Sequence, residues 1–179
     1  MGYPDMMRDI VEQTRREETI NRRKALENLP IVDRLTGLYN REYFDLRLDE
    51  EMARSRLYGN RLSLILIGTS LSLRQDQGNE NQVSEKTMKV IAGIIGDCLT
   101  DTIGLAFQYD KGKFAVILPE ASRQEASLTA DNIQKRILRE KIQGVTPHTG
   151  IAQYRDHEHI NELIQAADEA LHENIKKQR

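Results

Sequence analysis

The chain has 179 residues, of which 39% are hydrophobic and 30% are charged, and its formal net charge at pH 7 is −2. This size suits one globular domain with an extension. The near-neutral charge argues against strong attraction to nucleic acid or to an anionic membrane surface. The sequence has neither a long apolar run typical of a transmembrane helix nor a signal peptide. The single cysteine, Cys98, fits a reducing compartment, so we expect a cytoplasmic protein in which this segment contacts no membrane and no nucleic acid.

The first 30 residues are predicted to form a helical stalk or linker. Residues 5–29 are rich in charge and compatible with a helix, which Pro30 would end. Apolar residues at helical spacing are too few for a strong coiled-coil seam. Two interpretations remain open: a solvated helix, or a signalling stalk that joins an upstream module or pairs with a second copy. Residues 31–179 are predicted to form the folded domain.

The first half of this domain begins with a helix and a strand. Helix 41–58 carries Phe44, Leu48 and Met52 on one face, and Gly59 is expected to end it. Residues 62–67, with the sequence LSLILI, form a short apolar run that is typical of a buried strand. Ser84 is then expected to cap a helix with a regular apolar stripe.

The second half is predicted to contain a β-hairpin, with strands 104–109 and 113–119 joined by the three residues between them. Ser122 and Glu125 form a capping box for the next helix, and strand 147–154 and a closing helix follow. From residue 62 the order is strand, helix, strand, strand, helix, strand, helix. This order predicts an α+β fold of the ferredoxin-like or palm-like type. We expect two layers: a mostly antiparallel central sheet flanked by helices that lie mainly on one face.

Residues 33–41 (DRLTGLYNR) resemble the D-x-L-T-G-L-x-N-R signature that opens GGDEF (diguanylate cyclase) domains. Shorter similarities follow in the order of that family, at 114–119 (FAVILP), 150–152 (GIA) and 167–171 (ADEAL). The resemblance covers residues 33–175 and implies the GGDEF fold and a place in bacterial cyclic di-GMP signalling. Within the signature, Asn40 is positioned to cap helix 41–58, and Asp33 and Arg41 are expected to pair.

The resemblance also implies a catalytic site in which carboxylates hold divalent metals on the phosphates of two GTP molecules in facing domains. The D-x-D at the end of the family's first strand aligns with Gly68, Thr69 and Ser70. The signature hairpin aligns with Asp110, Lys111, Gly112, Lys113 and Phe114. The positions that should be acidic are therefore occupied by Gly68, Ser70, Gly112 and Lys113, and the lysine ammonium would repel a metal ion.

Other positions of the implied nucleotide site differ as well. Its guanine-reading positions align with Asp76 and Glu85, and the lysine that contacts phosphate in the last helix aligns with Ile175. The family's inhibitory product site, R-x-x-D, aligns with residues 101–104, where Asp101 and Gly104 replace the arginine and the aspartate. Asp101 would repel phosphate where arginine would bind it. We therefore expect no catalytic residue, no metal, no cofactor and no working inhibitory site.

These differences predict a catalytically inactive GGDEF-like domain that acts as a regulatory or protein-interaction module, with a protein partner or a second copy of the chain. The alternative is a sensor that binds GTP without turnover, in which Lys111 or Lys113 supplies the positive charge of the missing metal. A working diguanylate cyclase with displaced ligands is the remote alternative.

Overall fold

The computed structural model describes residues 10–18, 20–21, 30–69, 84–155 and 159–177. The chain divides into two compact units, residues 1–31 and 32–179. In the first unit, residues 10–18 and 20–21 are helical and form α1, whose apolar side chains Ile10, Val11 and Ile20 are exposed. Across these described ranges, no helix is both long and apolar enough to cross a membrane.

The described part of the second unit contains four helices and four strands. Their bounds are α2 (Arg41–Tyr58), β1 (Leu62–Thr69), α3 (Glu85–Cys98), β2 (Leu105–Asp110), β3 (Lys113–Pro119), α4 (Arg123–Arg139), β4 (Pro147–Gln153) and α5 (Ile160–Lys177). The strands form one sheet in the order β2-β3-β1-β4, and every neighbouring pair is antiparallel. This is the ferredoxin-like arrangement, so the predicted α+β fold class is confirmed.

Helices cover both faces of the sheet, so the expectation that they lie mainly on one face is wrong. One core lies between the sheet and helices α3 and α4, and it contains Ile65, Ile67, Phe114 and Val116. The opposite core lies against α2 and α5, and it contains Leu64, Leu66, Phe107 and Ala115. The physical reason is visible in the central strand: β1 carries apolar side chains at five of its eight positions, four of them consecutive, and is buried along its whole length, as a strand covered on both faces must be.

Local capping determines where the helices begin and end, as the sequence predicts. The side chains of Asn40 and Ser84 accept hydrogen bonds from the backbone of the first turns of α2 and α3. Ser122 and Glu125 make the reciprocal capping box of α4. Gly59 ends α2 with a φ of 68°, a left-handed conformation that favours glycine.

The hairpin between β2 and β3 is tighter than the sequence predicts. Asp110 pairs with Lys113 as the last rung of the ladder, so the loop has two residues, Lys111 and Gly112, instead of three. Gly112 has a φ of 72°, which this short turn requires. The register shifts between Gln108 and Asp110, which marks an irregularity at the intervening tyrosine. β1 also continues two residues beyond the predicted end, to Thr69.

Helix α5 packs against β4 at a point where there is no room for a side chain. A Cβ atom built on Gly150 would lie 2.1 Å from the backbone oxygen of Ala167 and 2.3 Å from the backbone nitrogen of Leu171. Only glycine permits this approach of helix and strand. The contact holds the second half of α5 over the end of the sheet at which the candidate site lies.

Candidate functional site

Three strand positions lie side by side where the family would place its metal. Gly68, near the end of β1, pairs with Lys113 of β3 on one side and with His148 of β4 on the other. Directly paired residues of antiparallel strands point to the same face, here the face covered by α2 and α5. The middle position has no side chain, so the row consists of an ammonium, a gap and an imidazole.

Lys113 contacts a carboxylate of the protein itself. Its Nζ lies 3.9 Å from Oδ1 of Asp168 on α5, and Oδ2 of Asp168 lies 3.3 Å from Nδ1 of His172. Because both partners are partly exposed, the Lys113–Asp168 pair contributes at most about 1 kcal/mol to stability. Within the described ranges, no group of three or more His, Cys, Asp or Glu side chains is arranged to hold a metal ion.

His148 is a member of this row that sequence reasoning missed as a site residue. The residue is only 5% exposed, and its Nδ1 has no hydrogen-bond partner in the described part of the chain. Burial lowers the pKa of His148 below its ordinary value, and a hydrogen bond with Asn174 of α5 opposes that change. The sequence signal was weak, since a histidine after a proline at the start of a strand does not reveal which face it occupies.

The tip of the hairpin is held by its own side chains. Gln108 Nε2 donates to the backbone oxygens of Asp110 at 2.6 Å and of Lys113 at 3.4 Å. The carboxylate of Asp110 accepts from the backbone nitrogen of Lys111 at 2.7 Å. Asp110 and Lys111 are exposed, whereas Lys113 is half-buried. The Asp110 carboxylate is thus engaged in the turn.

Arg41 fastens the hairpin to α2, and the expected Asp33–Arg41 pair is not the contact that forms. Arg41 lies 3.2 Å from Asp45, donates to the backbone oxygen of Tyr109, and its guanidinium lies 3.9 Å from the Tyr109 ring centroid. Asp33 instead accepts from the backbone and hydroxyl of Thr36. Burial raises the pKa of Tyr109, and the positive charge of Arg41 opposes that change. Arg41 and Asp45 lie four residues apart on one helix, which favours their pairing over an Asp33–Arg41 pair across the turn.

An open cleft of about 350 Å³ lies between the signature segment, the start of α3 and the hairpin. It carries both signs of charge together with apolar groups, and its lining residues include Asp33, Leu35, Arg41, Met88, Tyr109 and Lys111. Glu85 is exposed at the first position of α3, one turn before Met88. Ser70 and Asp76, the two other positions assigned to this site, lie outside the described residues.

The segment that aligns with the inhibitory product site forms a tight turn. Thr102 Oγ1 donates to the backbone oxygen of Leu99 and accepts from the backbone nitrogen of Gly104. A Cβ atom on Gly104 would lie 2.8 Å from a methyl group of Leu118, so an aspartate there would require repacking. Asp101 is exposed. Ile175, at the position of the family's phosphate-contacting lysine, packs against the core between the sheet and α5.

Comparison with known sequences identifies the family. The model of the family described as "Diguanylate cyclase, GGDEF domain" matches residues 30–179. Diguanylate cyclase DosC of Escherichia coli K12 is 26% identical over 155 residues, which are 83% of this chain and 33% of DosC. Response regulator PleD of Caulobacter vibrioides is 26% identical over 109 residues, which are 61% of this chain and 24% of PleD. The chain thus spans about a third of the length of DosC and about a quarter of the length of PleD.

Solved structures show the same fold. The GGDEF domain of DgcB from Caulobacter crescentus, solved in complex with c-di-GMP, superposes with a TM-score of 0.71 at 21% identity, over 83% of this chain and 89% of that chain. Diguanylate cyclase SiaD of Pseudomonas aeruginosa, solved with its activator SiaC, gives a TM-score of 0.72 at 22% identity, over 98% and 70%. The chain belongs to the GGDEF domain family of diguanylate cyclases, the family of cyclic di-GMP signalling.

Proposed function

We propose that this GGDEF domain is catalytically inactive and serves as a regulatory or protein-interaction module in cyclic di-GMP signalling. The observation that carries the proposal is the pairing of Gly68 with Lys113 in the sheet. At this point a cyclase needs carboxylates that hold a divalent metal against the triphosphate. The chain offers a position without a side chain beside a half-buried ammonium.

Electrostatic repulsion determines the size of the expected loss of catalytic activity. Two unit charges 4 Å apart interact by about 4 kcal/mol at an effective dielectric constant of 20, so an ammonium and a divalent ion repel by about 8 kcal/mol. Asp168 beside Lys113 reduces this repulsion, but it is paired with the lysine and does not replace the missing carboxylates. Losing even about 5 kcal/mol of transition-state stabilisation lowers a rate more than a thousandfold.

A protein partner fits this role better than a small molecule does. SiaD was solved in complex with its activator SiaC, so binding of a regulator to a cyclase of this fold has a precedent. In the described part of α1, Ile10, Val11 and Ile20 are exposed and available for contact with a second helix. We infer that residues 1–30 act as a stalk for partner binding or self-association, that residues 31–179 form the regulatory domain, and that the module works in the cytoplasm.

Incubation with GTP and Mg²⁺ is expected to yield no cyclic di-GMP above the blank without protein. The reason is that no carboxylate is available at Gly68 or Lys113 to hold the metal. Chromatographic separation of the products at high protein concentration is the measurement, because the family's reaction needs two facing domains. DosC, run in parallel, shows that the conditions support synthesis. Cyclic di-GMP formation by this chain, in proportion to its concentration, would contradict inactivity and support the displaced-ligand cyclase.

The second candidate is a sensor that binds GTP without turnover, and the cleft is the observation that favours it. Its volume of about 350 Å³ accommodates part of a nucleotide, and Lys111 on its lining supplies a positive charge for phosphate. Calorimetric titration with GTP separates the two candidates. Heat of binding that persists when Mg²⁺ is removed supports the sensor, whereas a flat titration at millimolar GTP leaves the protein-interaction module.

A further inference from the structure

His148 connects the end of the sheet to the last turns of α5. The imidazole is buried at the start of β4, and its contact on α5 is Asn174, close to the end of that helix. Gly150, two residues along the same strand, holds α5 in backbone contact at Ala167 and Leu171. The His148–Asn174 contact therefore lies beyond this fixed point, toward the C-terminal end of α5.

The described surroundings offer a protonated His148 no counter-ion. From β1 the neighbouring position is Gly68, which has no side chain, and beyond it β3 presents the positive charge of Lys113. From α5 the contact is the uncharged amide of Asn174, while Asp168 is shared between Lys113 and His172. From α4, the uncharged amide of Gln134 donates to the backbone oxygen of Pro147 at this end of β4.

We propose that His148 is an acid-sensitive contact, and that its protonation releases the last turns of α5, residues 172–177, from the sheet. A cation formed in this buried position would have the uncharged amide of Asn174 as its contact on α5 and no anionic partner of its own among the described groups named above. Opening the end of α5 exposes the imidazolium to water and removes that cost. The glycine at position 68 gives the site this property, because a carboxylate there would stabilise the charged ring.

The direction of the pH dependence follows from the burial of the ring. The pKa of His148 is lowered in the closed state, so the open state binds the proton more readily. The closed contact is therefore fully stable above the ordinary histidine value of 6.5 and is weakened as pH falls through the lowered pKa. At pH values below the pKa of the ring in both the closed and the open state, opening is favoured by about tenfold for each unit that separates these two pKa values.

Two measurements on the full chain test the proposal together. A ¹H–¹³C NMR titration gives the pKa of the His148 ring, and amide hydrogen exchange gives the opening of residues 172–177, corrected for the intrinsic effect of pH on exchange. Going from pH about 7.5 to about 5.5, we expect protection of these amides to fall by up to about tenfold, while protection of β1 and β3 is retained. A His148 pKa at or above the ordinary value, or unchanged protection of residues 172–177, would overturn the proposal.

Two variants give matched controls. His148→Gln removes the titrating group but keeps a polar side chain, so protection in this segment is expected to be the same at both pH values. His172→Gln removes an exposed histidine of the same helix, whose contact with Asp168 is an ion pair only while the ring is protonated. It is expected to leave acid release in place. If acid release survives in His148→Gln but disappears in His172→Gln, His148 is not the sensor. If His148→Gln fails to fold, the wild-type titration alone decides.

Discussion

Replacement of Gly150 by alanine is expected to prevent folding or to lower the free energy of unfolding by about 3 kcal/mol or more. The added methyl group would lie 2.1 Å from the Ala167 oxygen and 2.3 Å from the Leu171 nitrogen. Both atoms belong to the backbone of α5, so no side-chain rotation relieves the clash. The helix would have to move away from β4 and expose the core that contains Leu163 and Leu171.

Urea unfolding followed by circular dichroism measures this effect, and Gly93→Ala provides the control. A Cβ atom on Gly93, inside α3, would meet nothing within 4 Å. This replacement is expected to stabilise the protein by about 0.4–1 kcal/mol, because alanine restricts the unfolded chain and favours a helix. Equal stability of the Gly150→Ala variant and the wild type would show that α5 does not pack on β4 as described.

Phe107→Ala is expected to destabilise the protein by about 3–5 kcal/mol. Phe107 is completely buried in β2, and its ring centroid lies 5.4 Å from that of Phe44 and 5.6 Å from that of Tyr39. These contacts join α2 and the signature segment to the edge of the sheet, where the backbone of Tyr39 also bonds to β2. Truncation is expected to leave a cavity at the meeting point of these three elements.

Thermal unfolding and urea unfolding of Phe107→Ala give the measurement, with Leu128→Ala as the control. Leu128 is 71% exposed on α4, so its truncation is expected to change stability by no more than about 0.5 kcal/mol. A loss of less than about 1 kcal/mol in Phe107→Ala would contradict the aromatic cluster as a main support of this edge.

The features predicted correctly from the sequence are those that depend on neighbours along the chain. The caps at Asn40, Ser84 and Ser122 are bonds within a few residues, so the residue types alone reveal them. The α+β fold class followed from the order of elements. The distribution of the helices between the two faces of the sheet did not follow, because a short apolar run such as residues 62–67 shows that a strand is buried without showing which helices cover each face.

The composition of the candidate site was only partly accessible from the sequence. Alignment with the family signature indicated Gly68 and Lys113, since both lie at fixed distances from recognisable motifs. The neighbours Asp168 and His148 were missed because they join the site through strand register and helix packing. The same limitation explains the mistaken Asp33–Arg41 pair, since Arg41 found its partners in Asp45 and in Tyr109, which is distant along the chain.

Metal binding is the most direct test of the central proposal. The proposal is that this domain is catalytically inactive because carboxylates are missing at the end of β1 and on the hairpin. Mn²⁺ serves as a paramagnetic stand-in for Mg²⁺, and its electron paramagnetic resonance spectrum with GTP is recorded with and without the protein. We expect the spectrum to be unchanged by this chain and to be altered by DosC under the same conditions. A stoichiometric Mn²⁺ signal bound to this chain in the presence of GTP would show that other side chains hold the metal, and it would contradict the proposal.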